Sequence, residues 1–236
     1  MRLVSSLALA SLLAACGHSH AGEDNSPQGT RNFDATGFDS VSLAGSDDVD
    51  VTVGPAFSIS ATGPQAVLDR LEIKVDGSNL KIGRKNSASW NWNSRGATIR
   101  VTMPSIKGAT IAGSADMSID KVEGQSFDAG IAGSGNLRVK AIKVETLKAG
   151  IVGSGDANLG GTANSVDLSI AGSGNVEADD LKATNASVSI LGSGDIRLHV
   201  TGSANGSVAG SGDVNIRGID KCTVSKAGSG SVNCKL

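Results

Sequence analysis

The chain has 236 residues, a formal net charge of −2, and 3% aromatic residues with no tyrosine at all. It carries no basic stripe and few aromatic side chains, which argues against nucleic acid as a partner. The length suits a single domain with its own core.

Residues 1–16 read as an export signal. Arg2 supplies the positive end, Leu3 to Leu13 is an apolar run too short to span a bilayer stably, and Leu13-Ala14-Ala15-Cys16 closes it. The closing phrase resembles the lipobox of bacterial lipoproteins, which implies that Cys16 is lipidated and becomes the first residue of the mature chain. The alternative is an ordinary signal peptide with a chance cysteine. Gly17 in place of Asp gives no signal for retention at the inner membrane, so the expected location is the cell envelope, as an outer-membrane lipoprotein, with the periplasmic or surface face left open.

Residues 17–30 are polar and without apolar periodicity, the composition of a flexible tether. His18 and His20 lie on it, but two imidazoles without a third fixed ligand make a weak metal site.

A single β-rich domain is expected over residues 31–236. Its first part, 31–104, reads as irregular strands. Phe38 to Leu43 leads through Gly45-Ser46-Asp47-Asp48 to Val49 through Val53, and Phe57 to Ser60 follows. Gln65 to Leu71 is a helical turn preceded by Pro64, Leu71 to Ile82 is a hairpin, and Ala97 to Met103 is another strand. Such a segment suits the N-terminal cap of a repeat protein, since terminal repeats must hide an open sheet end.

From 105 to 236 one phrase recurs, Gly-Ser-Gly followed by Asp or Asn. It stands at Gly133, Gly153, Gly172, Gly192 and Gly210, with variants at Gly113-Ser114-Ala115-Asp116 and Gly228-Ser229-Gly230-Ser231. The spacing of 18 to 20 residues identifies a repeat architecture with one coil per period. Two residues before the first glycine stand Ile111, Ile131, Ile151, Ile170, Ile190 and Val208, and other apolar residues occupy every second place on both sides of the turn. That alternation means strands with inward-facing side chains, and no helical period of 3.6 appears. The fold class is therefore all-β, a parallel β-solenoid, expected to be flattened around a narrow core of Ile, Val, Leu and Ala. Its handedness cannot be read from the period. The fourth residue of each phrase forms a column, Asp116, Asn136, Asp156, Asn175, Asp195, Asp213 and Ser231, in which Asn dilutes like-charge repulsion.

The order Phe38-x-x-Val41, Asp48-Val49-x-Val51, Leu80-x-Ile82, the Trp90 region, Ile99-x-Val101-x-Met103-Pro104 and then serial Gly-Ser-Gly turns resembles the head-GIN-domain family of autotransporter-type adhesins, over about residues 31 to 233. The resemblance implies a right-handed, pectin-lyase-like β-helix, no catalytic set, and a role in adhesion.

No catalytic residue, cofactor or resident metal is expected. Asp120, Lys121, Glu123, Lys140, Lys143, Glu145, Glu177, Asp179, Asp180 and Arg197 are scattered as alternating charges, with no spacing that singles out a general acid and base. His199 has no nucleophile to serve. Calcium on the Asp/Asn column is the lesser alternative, because these coils do not reproduce the short calcium-binding nonapeptide. The candidate ligand site is Trp90-Asn91-Trp92 with Arg95. Two indoles at i and i+2 suit stacking on a sugar ring, and cap packing is the competing reading.

The sequence thus describes a lipid-anchored envelope solenoid that presents a rigid surface to a glycan or a cell-surface protein. The alternatives are a polysaccharide lyase or hydrolase on a β-helix, and a structural or envelope-sensing module. Oligomeric state is left open. Cys222 and Cys234 stand six residues before and six after Gly228, two inward positions equidistant from one turn, and export to an oxidising compartment predicts a disulfide between them.

Overall fold

The structure is a computed structural model that describes residues 27–85 and 96–236. The N-terminal part contains β1 (Gln28–Phe33), β2 (Ser40–Gly45), β3 (Asp48–Val53), β4 (Ser58–Pro64), a single turn of helix α1 (Gln65–Leu68), β5 (Leu71–Asp76), β6 (Asn79–Arg84) and β7 (Thr98–Met103). The repeats contain β8 (Gly108–Gly113), β9 (Met117–Gly133), β10 (Leu137–Gly153), β11 (Ala157–Gly172), β12 (Val176–Gly192), β13 (Ile196–Gly210), β14 (Val214–Arg217), β15 (Thr223–Gly228) and β16 (Val232–Lys235).

Strands β9 to β13 each run from one Gly-Ser-Gly turn to the next and pair in parallel with their neighbours. The register is the one the repeat dictates. Gly133, Gly153, Gly172, Gly192, Gly210 and Gly228 lie side by side, as do Ile131, Ile151, Ile170, Ile190 and Val208. The fold is the expected parallel β-solenoid.

Within a coil, however, alternation breaks twice. In β10 the buried residues are Leu137 and Val139, then Ile142 and Val144, then Leu147, Ala149 and Ile151. Each break inserts one extra residue and turns the chain through a corner, so the core is walled by three short runs and closed by the turn, not flattened between two strands. The middle run supplies only one or two inward side chains per coil, Val122, Ile142 and Val144, Ala163, Leu181 and Ala183, Val200. So short a run leaves no period of its own in the sequence.

The turns require their glycines. The first glycine of each phrase has positive φ, +128° at Gly153 for example. The third has no such φ but lies against the coil below. A Cβ on Gly155 would overlap the carbonyl oxygen of Gly135 and stand 2.9 Å from Ile131 Cγ2. Strand spacing of about 4.8 Å leaves no room there for a side chain.

The N-terminal part is not stacked in chain order. β2 pairs in parallel with β8, Gly45 beside Gly113, and β3 pairs with β9, Val49 beside Met117. Residues 40–53 are therefore a regular coil whose turn Gly45-Ser46-Asp47-Asp48 sits directly on the turn at Gly113. On its other side β2 pairs with β6 and β3 with β7, both parallel. The chain places a coil, leaves it to build the layer on one side through antiparallel β4 and β5, and then returns on the other side at Gly108. The cap proper is β1, β4, α1, β5, β6 and β7, while Ser40–Val53 belongs to the stack. β1 is antiparallel to β4 from Gln28 onwards, so Gln28–Thr30, at the end of the expected tether, already lie in the sheet. Phe38 is buried against Phe57, ring centroids 4.8 Å apart.

Candidate functional site

The turn edge carries a continuous polar ladder. The backbone N–H of Asp116 donates to Asp48 Oδ1 at 3.0 Å, that of Asn136 to Asp116 Oδ1 at 3.1 Å, and that of Asp156 to Asn136 Oδ1 at 3.1 Å. The pattern continues from Asn175 to Asp156 at 2.8 Å, Asp195 to Asn175 at 3.0 Å, Asp213 to Asp195 at 2.9 Å and Ser231 to Asp213 at 2.7 Å. Asn136 and Asn175 also donate their side-chain amides to the Asp of the coil below, at 2.9 and 3.0 Å. One side-chain oxygen of each residue is thus committed to the next coil. At the end of the ladder, the Ser231 hydroxyl, the Ser231 N–H and the nearby Lys226 ammonium hold the Asp213 carboxyl below its ordinary range.

Beside the ladder runs a groove of about 600 Å³ lined by Asp48, Asp50, Asp116, Arg138, Asp156, Asn158 and Glu177 among others. A second groove, about 670 Å³, follows the short middle run and is lined by Glu123, Lys143, Glu145, Thr162, Asn164, Lys182, Thr184 and Thr201. Both are shallow, polar and elongated along the stack. Such surfaces suit an extended polar partner that makes many hydrogen bonds, such as a glycan chain or a peptide segment.

The charged residues singled out in the sequence fall into separate places. Asp120 accepts the N–H groups of Val53 at 2.9 Å and Lys121 at 2.7 Å, a structural duty at a corner. Glu177 pairs with Arg197 at 3.4 Å, and Asp179 pairs with Arg217. Glu123, Lys143 and Glu145 share the middle groove. Asp180 lines a third hollow with Asp179, His199 and Arg217. Among the described residues no three His, Cys, Asp or Glu side chains converge on a point where a metal ion would sit.

Cys222 and Cys234 form a disulfide, Cα to Cα 6.3 Å, as their placement about Gly228 predicts. Cys16, His18, His20, Trp90, Trp92 and Arg95 lie outside the described residues. In the chain the Trp90 segment falls between β6 and β7.

One cluster escaped sequence reasoning. Asp47, 1% exposed, is the buried charge of the described core. Its carboxylate accepts Arg84 Nε at 2.7 Å, Arg84 Nη2 at 2.6 Å and the backbone N–H of Ala97 at 2.7 Å. The carboxylate keeps the Arg84 guanidinium protonated even more firmly than usual. The available signal was local. Asp47 occupies the third place of a turn phrase where the others carry Gly or Ala.

Comparison with known proteins accords with this architecture. Residues 37–220 match the family described as "putative auto-transporter adhesin, head GIN domain". Among solved structures, a putative adhesin from Bacteroides fragilis is 24% identical, with a TM-score of 0.82 over 89% of this chain and 97% of that one. A putative lipid binding protein from Parabacteroides distasonis is 25% identical, with a TM-score of 0.73 over 90% and 98%. A putative adhesin from Parabacteroides merdae is 18% identical, with a TM-score of 0.70 over 90% and 97%. No curated protein matches the chain.

Proposed function

The chain belongs to the family described as "putative auto-transporter adhesin, head GIN domain", and from that premise we propose that it is a non-catalytic adhesion protein of the cell envelope. Lipid on Cys16 holds it at the outer membrane, and the polar segment that follows spaces it from the bilayer by roughly 20 Å. The solenoid is the working surface. Nine stacked layers make a column about 40 Å long, and its two polar grooves run parallel to that axis.

The observation that carries this reading is the unbroken ladder from Asp48 to Ser231. It fixes every coil to the next along the turn edge, so groove-lining side chains keep their spacing when a partner docks. A preorganised surface loses little entropy on binding. The polar grooves and side-chain-filled interior favour a glycan or a cell-surface protein over a lipid, although one structural neighbour is named as a lipid binding protein.

Three measurements test the proposal. Cys16→Ser should release the chain from the detergent phase into the soluble fraction and abolish palmitate labelling. Protease added to intact cells should digest the native protein. The folded chain should bind glycan-coated or cell-coated surfaces without producing new reducing ends or unsaturated products. Turnover of a polysaccharide that a single carboxylate substitution abolishes would replace adhesion with a lyase or hydrolase on the same fold.

A further inference from the structure

The four phenylalanines of the chain divide two and two. Phe38 and Phe127 are buried, at 3% and 0% exposure, whereas Phe33 and Phe57 are only partly covered by the core they pack against. Both of these rings line one hollow of about 770 Å³ in the N-terminal cap, whose apolar floor is completed by Ile59, Ile73 and Val75. Neither groove along the stack has an aromatic ring in its lining.

The cap leaves this apolar surface open at one end of β1. At the other end α1 is docked: the Gln65 N–H donates to Pro27 O at 2.9 Å, Arg31 Nη1 donates to Leu68 O at 3.2 Å, and Val67 and Leu68 are buried. The hollow lies where β1 finishes at Phe33 and β4 begins at Ser58, with β5 contributing Ile73 to Val75. Each ring is held by a residue outside the hollow. Arg31 Cζ stands 5.1 Å from the Phe33 centroid, and Phe38 packs on Phe57 with centroids 4.8 Å apart. Rings already fixed lose little entropy when a ligand stacks on them. Around the floor Asn32, Asp34, Thr36, Ser58 and Lys74 are exposed, a rim that offers both hydrogen-bond donors and acceptors.

We propose that this hollow binds a neutral sugar ring and, resting on the adhesion role, that the ring belongs to the glycan to which the chain adheres. A pyranose divides as the hollow does, into a C–H face that lies against Phe33 and Phe57 and a girdle of hydroxyls that both donate and accept at the rim. An acyl chain would cover the floor but desolvate the rim without giving its polar groups partners. The charges of the rim select against an anionic sugar. Its one cation, Lys74, is paired with Glu72 at 2.9 Å, and Asp34 would repel a uronate or a phosphate.

The test uses the full chain, isotope-labelled at its phenylalanine rings and titrated in NMR with the methyl glycosides of glucose, mannose, galactose and N-acetylglucosamine. At least one should move the Phe33 and Phe57 resonances and leave Phe127 unmoved. Phe33→Ala should raise the dissociation constant of that sugar, read at Phe57, about tenfold or more. Asp34→Ala, a change on the exposed rim, should weaken binding in the same direction and serves alone should Phe33→Ala not fold. Rings that none of the glycosides moves overturn the proposal, as do rings moved by decanoate and by no glycoside, or a sugar affinity that both substitutions leave unchanged. The two readings fail separately. A native chain that adheres to glycan-coated surfaces with Phe33 and Phe57 unmoved keeps the adhesion role and loses this site, whereas rings that respond to a sugar in a chain that adheres to no surface keep the site and lose the adhesion role.

Discussion

Arg84 grips Asp47 with two hydrogen bonds, Nε to Oδ2 at 2.7 Å and Nη2 to Oδ1 at 2.6 Å, across 37 residues of chain. The pair joins β6 of the cap to the first coil at the place where chain order and stacking order disagree. Asp47 is buried, whereas the Arg84 side chain is 19% exposed. Removing the guanidinium therefore strands a carboxylate in the core. Arg84→Ala should cost about 3 kcal/mol in chemical denaturation, and Asp47→Ala a similar amount. The double variant Asp47→Ala/Arg84→Met should recover much of the loss, because no uncompensated charge remains. Additive losses would show that the two residues act independently.

The turn glycines give a sharper contrast. Gly155→Ala would push a methyl into the backbone of the coil below, with only backbone atoms and a buried isoleucine to yield. A loss of about 3 kcal/mol is expected from such overpacking. Gly150 lies five residues earlier on an outward position, where a Cβ would meet only the Ser169 hydroxyl at 3.2 Å. The same column carries Thr110 and Ser169, so Gly150→Ala should change stability by less than about 0.5 kcal/mol. Equal effects of the two substitutions in urea titrations would contradict the stacking role of the third glycine.

The sequence made the stack legible wherever a feature repeated. Coil length, the isoleucine column, the Asp/Asn column and the inward placement of Cys222 and Cys234 all follow from offsets to Gly-Ser-Gly. What did not repeat was not legible. The middle run is too short to show alternation, and Asp47 meets Arg84 only because β6 and β7 fold back over β2 and β3. Sequence adjacency suggested that 31–104 was all cap, yet Ser40–Val53 pairs with coils on both sides. The direction of the ladder bonds, side-chain oxygen to the next N–H, was likewise invisible, since a column of Asp and Asn says only that these residues are neighbours.

Acid should loosen the turn edge and the start of the stack together. Asp213 is held below the ordinary carboxylate value of 3.8, first by the Ser231 hydroxyl and then by the Ser231 N–H. Asp39 is held below it chiefly by its hydrogen bond to Lys107, at 2.7 Å. A group with a depressed folded-state pKa binds fewer protons folded than unfolded. Its stabilisation is therefore complete above the unfolded value and lost as pH falls through the folded one. Stability should be flat near neutrality and fall below about pH 4. Ser231→Ala should move the Asp213 titration, followed by carboxyl NMR, upward towards 3.8. An unmoved titration would show that the serine is not the main cause.

The disulfide between Cys222 and Cys234 closes a short loop, 12 residues apart in sequence, around the last turn. Loop-closure entropy for that length corresponds to about 2 to 3 kcal/mol. How the loss is expressed depends on where the bond sits. Among the described residues β15 and β16 pair with the rest of the stack along one side only, so without the bond that single side is all that holds them. Reduction, or the pair Cys222→Ala/Cys234→Ala, should speed hydrogen exchange first in β15 and β16, with β9 to β12 protected as before. The global unfolding midpoint should fall less than the local loss implies, since the last layer can open while the remaining coils stay folded. A uniform rise in exchange along the whole stack would mean that the solenoid unfolds as one unit and that the disulfide stabilises all of it, not its end.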